Sequence, residues 1–132
     1  MTTWLEGWRN GIAPLMTKDG LEALREALRR DDRRLAQGVI SLPIALDDAD
    51  RAPVEAACAV GFCLWHGGGL DRVGRLKTQF ARICATANDL LGSPCAVVAF
   101  LNWFDETPRE QMRFQLLDEV ERALGECVGL AA

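Results

Sequence analysis

The sequence predicts an all-α fold, a single domain over residues 1–132 built as a bundle of five or six helices around two nearly all-apolar central helices. Three observations carry this reading. Val54–Trp65 (VEAACAVGFCLW) holds one charged residue, Glu55, and is apolar on every helical face, so it must be surrounded by other helices. Cys95–Phe104 is a second such run, with Asn102 its one polar residue. Around them lie segments whose apolar residues recur three and four apart, the spacing of helices with one buried face.

In chain order, Trp4, Leu5, Trp8, Ile12 and Leu15 give a short amphipathic helix ending before Pro14, with Trp4 and Trp8 one turn apart on a face expected to dock on the core. Thr17 is an N-cap and Asp19 favours the first turn of the next helix, whose inward stripe is Leu21, Leu24 and Leu28. Asp31 falls where another inward residue belongs, which predicts a break at Arg30-Asp31 and a further turn through Leu35 to Gly38. Val39–Leu46, interrupted by Pro43, is expected as an extended connector without a partner strand. Asp47, Asp48 and Asp50 place negative charge before the central helix, Pro53 suits its first turn, and Gly67-Gly68-Gly69 ends it.

The clearest amphipathic stripe comes next, over about Asp71–Leu91: Val73, Leu76, Phe80, Ile83, Cys84, Ala87 and Leu90. Ser93-Pro94 supplies an N-cap and an N1 proline for the second apolar helix. Thr107-Pro108-Arg109-Glu110 combines a capping box with proline at N1, the clearest helix start in the chain, and opens a last helix with Met112, Leu116, Leu117, Val120 and Leu124 inward and Gly125 at its end. Gly61, mid-helix, is expected at a close approach of a neighbouring helix.

Composition excludes several functions. A net charge of −4 and a pI near 5.0 argue against nucleic acid as the main ligand. No apolar run approaches the ~20 residues of a bilayer crossing, and MTTWLEGWRN has neither the basic nor the apolar part of a secretory signal, so neither membrane nor export is expected. Five cysteines, an odd number set mostly in apolar helical runs, suit free thiols in a reducing, cytoplasmic setting. Their spacing lacks the paired knuckles of a zinc site, and no cofactor or metal is expected.

Two chemical candidates remain. Cys63 and His66, at i and i+3, would share a helix face as a nucleophile and its base do. The alternative is a buried thiol and a helix-end histidine that favours the C-terminal dipole. His66-Gly67-Gly68-Gly69 has the letters of an oxyanion-hole loop but comes after a helix, and Ser41 and Ser93, the chain's two serines, make no nucleophile elbow. A glycine turn that cradles phosphate would face repulsion from Asp71.

Charge is divided along the chain. Residues 25–34 carry Arg25, Arg29, Arg30, Arg33 and Arg34 against three acidic residues, while residues 105–126 carry seven acidic residues against three arginines. Such an asymmetry steers a charged protein partner or self-association, although solvated helix faces also produce it. The first functional reading is therefore a small cytoplasmic adaptor or regulatory module without catalytic activity, binding a protein partner or itself through Trp4, Trp8, Arg25, Arg29 and Arg33. An immunity-type protein with an acidic last helix is a weaker variant of it. The alternative is a small-ligand binder or enzyme with its site near Cys63, His66 and the Gly67–Gly69 turn. An apolar cavity near His66 favours the second reading, and a solid core with an exposed patch favours the first.

Overall fold

The computed structural model describes residues 3–43 and 51–131, the side chains of 127–131 excepted. The expected charge at Asp47, Asp48 and Asp50, the end of the connector (residues 44–46) and the Cys127 thiol lie outside the described residues. The fold is all-α. Among the described residues there are six α-helices, α1 (Trp4–Glu6), α2 (Lys18–Arg30), α3 (Ala59–Gly68), α4 (Val73–Leu91), α5 (Val98–Glu106) and α6 (Arg109–Ala131). A short antiparallel ladder pairs β1 (Ser41–Leu42) with β2 (Ala56–Ala57).

The N-terminal segment stays helical beyond α1, widening to a π-helix over Gly7–Ile12 and tightening to a 3-10 turn at Ala13–Leu15, where Pro14 is tolerated. Its indoles dock as expected. Trp8 is 1% exposed and lies 5.3 Å from the Phe100 ring, and Trp4 stacks on Trp103 at 3.7 Å with the planes 4° apart. Arg9 then forks onto Glu119 of α6, Nε to Oε1 at 2.6 Å and Nη2 to Oε2 at 2.8 Å, which accounts for a buried carboxylate in the middle of that helix.

Helix α2 starts where its cap predicts, with Thr17 Oγ1 accepting from the Gly20 N–H at 3.0 Å. It stops at Asp31, a non-glycine residue in the left-handed region (φ 53°). Leu21, Leu24 and Leu28 are buried against α3 and α6.

The two central helices are shorter than expected. Residues 54–58 are extended: Val54 N–H bonds to Asp71 O, Pro53 bridges Arg72 instead of opening a helix, and α3 begins only at Ala59, with Cys58 Sγ accepting from Gly61 N at 3.4 Å. The alanine-rich run leaves the choice between strand and helix to its surroundings, and the ladder with Ser41–Leu42 decides it; the connector does have a partner strand. Likewise α5 begins at Val98, not Cys95. No side chain caps it; Asn88 of α4 instead holds the turn before it, accepting from Val97 N at 2.8 Å and donating to Pro94 O at 2.9 Å. Val98 and Asn102 are exposed, so α5 covers the core with one face and is not its centre.

Smaller corrections follow. Leu90 is 55% exposed. Glu110 pairs with Arg113 at 2.7 Å, and Thr107 N donates to Trp103 O, so the reciprocal capping-box bond is absent. Helix α6 continues through Gly125 to Ala131. Around Gly61 the close neighbours are the Ile40 carbonyl, Ala57 and Leu76.

The tightest backbone approach lies elsewhere. A Cβ at Gly67 would sit 2.5 Å from Gly20 Cα and 2.6 Å from Thr17 Oγ1, so α2 and α3 meet glycine on glycine. We predict that Gly67→Ala destabilises the fold by about 1–3 kcal/mol through overpacking. Gly68→Ala, whose new methyl group meets only Leu70 Cγ at 4.0 Å, should stay within about 0.5 kcal/mol of the parent. Urea unfolding of the pair checks this, and equal midpoints would show that the crossing can relax.

Candidate functional site

The sequence-derived pair lies near the end of α3 but does not converge. Cys63 is buried on the face that meets α2, where its carbonyl approaches Gly20, and burial raises its thiol pKa above the ordinary value. Among the described residues no hydrogen bond joins Cys63 to His66. The imidazole is instead held by aromatic rings, 4.4 Å from Phe62 and 4.4 Å from Trp65. Cys58 is also fully enclosed, and burial pushes its thiol up to about 12. A thiol held protonated is a poor nucleophile and a poor metal ligand.

His66 edges a hollow of about 180 Å³ whose other walls include Glu26, Arg30, Asp32, Arg34 and Phe62. This hollow is charged, not the apolar pocket that a ligand site beside His66 calls for. Arg34 forms a fork on Asp32, Nη2 to Oδ2 at 2.6 Å, and its guanidinium lies 5.9 Å from the centre of the Trp65 ring. These contacts hold the Asp32 carboxyl down at about 2, against partial desolvation. His66 is lowered from its ordinary value by desolvation and by the charge of Arg34, with Asp32 opposing.

The basic cluster is engaged inside the chain. Arg29 binds Glu26 at 3.2 Å and Glu121 of α6 at 2.9 Å, and Arg33 binds Asp31 at 3.2 Å. Arg25 is half-buried, and its Nε is enclosed with no acceptor among the described residues. From the acidic side, Arg113 reaches back to Leu28 O at 2.9 Å and Arg109 to Asp31 at 2.6 Å. The basic and acidic segments thus face one another across α2 and α6, and much of the charge asymmetry is consumed by packing.

Beside this junction lies an exposed apolar side chain. Phe114, on α6, is 76% exposed, the most exposed large apolar side chain among the described residues. It borders a hollow of about 270 Å³ formed with Leu28, Leu117 and the stems of Arg29 and Arg113, closed at one end by Glu110. Sequence reading missed it because Phe114 lies off the inward stripe of α6. Position alone, two residues after Met112 and two before Leu116, marks it as outward-facing.

The Asp32–Arg34 pair gives a pH prediction. A carboxyl whose folded pKa lies near 2, below the ~3.9 of an unfolded chain, adds stability above about pH 4 that is lost as pH falls towards 2. Asp32→Asn should therefore flatten the decline in stability over that interval, measured by urea unfolding at successive pH values. An acid profile parallel to the parent's would show that the pair contributes nothing to acid stability.

Comparison with protein-family models, with curated proteins and with solved structures finds no match to this chain.

Proposed function

We propose that the 132 residues act as one helical interaction module, without catalysis, and that the module works by protein–protein contact through the face shared by α2 and α6. The exposed Phe114 ring beside its hollow carries this reading. A large aromatic side chain gains most from being covered, and such residues anchor interfaces when they enter a pocket on the partner.

The occupant we assign is a second copy of the chain. The patch offers a projecting ring and a hollow side by side, so it can complement itself. A two-fold axis through such a patch places each ring at the other copy's hollow. The patch is small beside the ~1,200–2,000 Å² of a standard stable interface, so the association is weak and concentration-dependent. Trp4 and Trp8, one stacked and one buried, are spent within the fold.

Sedimentation over a concentration series tests this directly. The parent chain should show reversible self-association, and Phe114→Glu should be monomeric throughout, with stability changed by no more than about 0.5 kcal/mol because the site is exposed. A parent chain that stays monomeric at millimolar concentration, or a Phe114→Glu variant that associates as the parent does, would overturn the proposal.

A further inference from the structure

A second hollow, independent of the α2–α6 face, lies at the N-terminal end of α3. It encloses about 190 Å³, and its walls are Ile40, Val60, Phe80, Phe100, Leu101 and Phe104, with Gly38 and Asp105 contributing the polar part of the rim. We infer that this hollow is a binding site for a small aromatic amine, whose ring lies against Phe80, Ile40 and Leu101 and whose cationic group meets Asp105.

Three observations lead there. The first is size and lining: an apolar cavity of about 150 Å³ accommodates benzene, so this one takes a ring with a short substituent or a small bicycle. Phe80, half-buried, is the phenyl group with ring surface left open to a ligand, while Phe100 and Phe104 are buried and close the floor.

The second is that the rim is tied down from both sides. The Ile40 carbonyl accepts from Cys58 N at 3.0 Å, the Gly38 N–H donates to Asp105 Oδ1 at 2.9 Å, and Gln37 Nε2 donates to both Phe104 O and Thr107 O at 2.7 Å. A loop held by four hydrogen bonds does not collapse into the space beneath it, so the hollow is preformed and binding costs little ordering. Ile40, on the rim, remains 38% exposed, leaving apolar surface that a ligand would cover.

The third is charge. Asp105 uses one oxygen for Gly38 and forms no salt bridge among the described residues. A carboxylate at the mouth of an otherwise apolar hollow selects a cation over an anion, since an anionic ligand would meet like charge there without a compensating donor.

Tryptamine, indole and indole-3-acetate serve as probes against the full chain, monitored by two-dimensional amide NMR titration and by ring-to-side-chain NOEs. Tryptamine should bind saturably, shift the amides of Ile40, Val60 and Phe104, and give NOEs to Phe80 and Leu101. Indole should bind more weakly and indole-3-acetate most weakly. Asp105→Asn, which keeps an acceptor for Gly38, should weaken tryptamine about threefold and leave indole unchanged. Leu101→Trp, filling the hollow, should abolish binding of all three; the NOEs on the parent chain test the location even if that variant fails to fold. Absence of saturable shifts for every probe, NOEs to other residues, or indole-3-acetate binding as tightly as tryptamine would overturn the assignment.

Discussion

The C-terminal end of α2 leaves carbonyls that the helix cannot satisfy; Arg113 of α6 donates to two of them, and Arg109 of α6 holds the turn that follows. Arg113 donates to Leu28 O at 2.9 Å and to Arg29 O at 3.3 Å. Arg109, one turn earlier, binds Asp31 Oδ1 at 2.6 Å and the carbonyls of Asp32 and Leu35 at 3.0 Å each. These bonds fix the turn after α2, and that turn in turn positions the approach to α3. Arg34 O accepts from Ala57 N and Ala36 N donates to Ala57 O, both at 2.8 Å, so the segment clamped by Arg109 is also the one that aligns the entry to α3. Gln37 and Gly38 then close the same loop against the end of α5.

This clamp explains why the two oppositely charged stretches do not act as free surfaces. Arg29 meets Glu121, Arg109 meets Asp31, and Arg9 meets Glu119 from the far end of the chain. Their contribution is to register α6 against α2 and the N-terminal segment, which suits charges that are partly shielded and hydrogen-bonded on several sides. Two mainly apolar features stay open beside these pairs: the exposed Phe114 ring next to the α2–α6 junction and the hollow beneath the clamped loop.

Local signals in the sequence located much of this fold. Thr17, the 21/24/28 stripe and the break at Asp31 define α2 because capping and periodicity act within one helix. Trp4 and Trp8 could be assigned to the core from their spacing and size. The features that escaped depended on distant partners. Val54–Cys58 has helical letters but Ala56 and Ala57 pair with Leu42 and Ser41, and Asn88 of α4 holds the turn that Ser93-Pro94 was expected to open. The Gly67–Gly20 contact has no local signature, because its reason lies on another helix. At the candidate site, i, i+3 spacing put Cys63 and His66 near each other in sequence but could not reveal that one faces α2 and the other is held by two rings. Phe114 carries no motif; its place off the inward stripe marks it as outward-facing, but the hollow beside it depends on how α6 packs on α2.

Arg109 holds the turn after α2 and through it the start of α3, and a single substitution isolates that role. Arg109→Met keeps the aliphatic stem and removes the guanidinium, taking away the donor to the Leu35 carbonyl and leaving the Asp32 carbonyl with the Leu35 N–H alone. Amide hydrogen exchange combined with urea unfolding measures the consequence. We predict a loss of about 1–3 kcal/mol, with protection falling first at the Ala36 and Ala57 amides while the Leu24 and Leu116 amides keep theirs relative to global unfolding. Unchanged stability with unchanged exchange at Ala36 and Ala57 would contradict this role for Arg109.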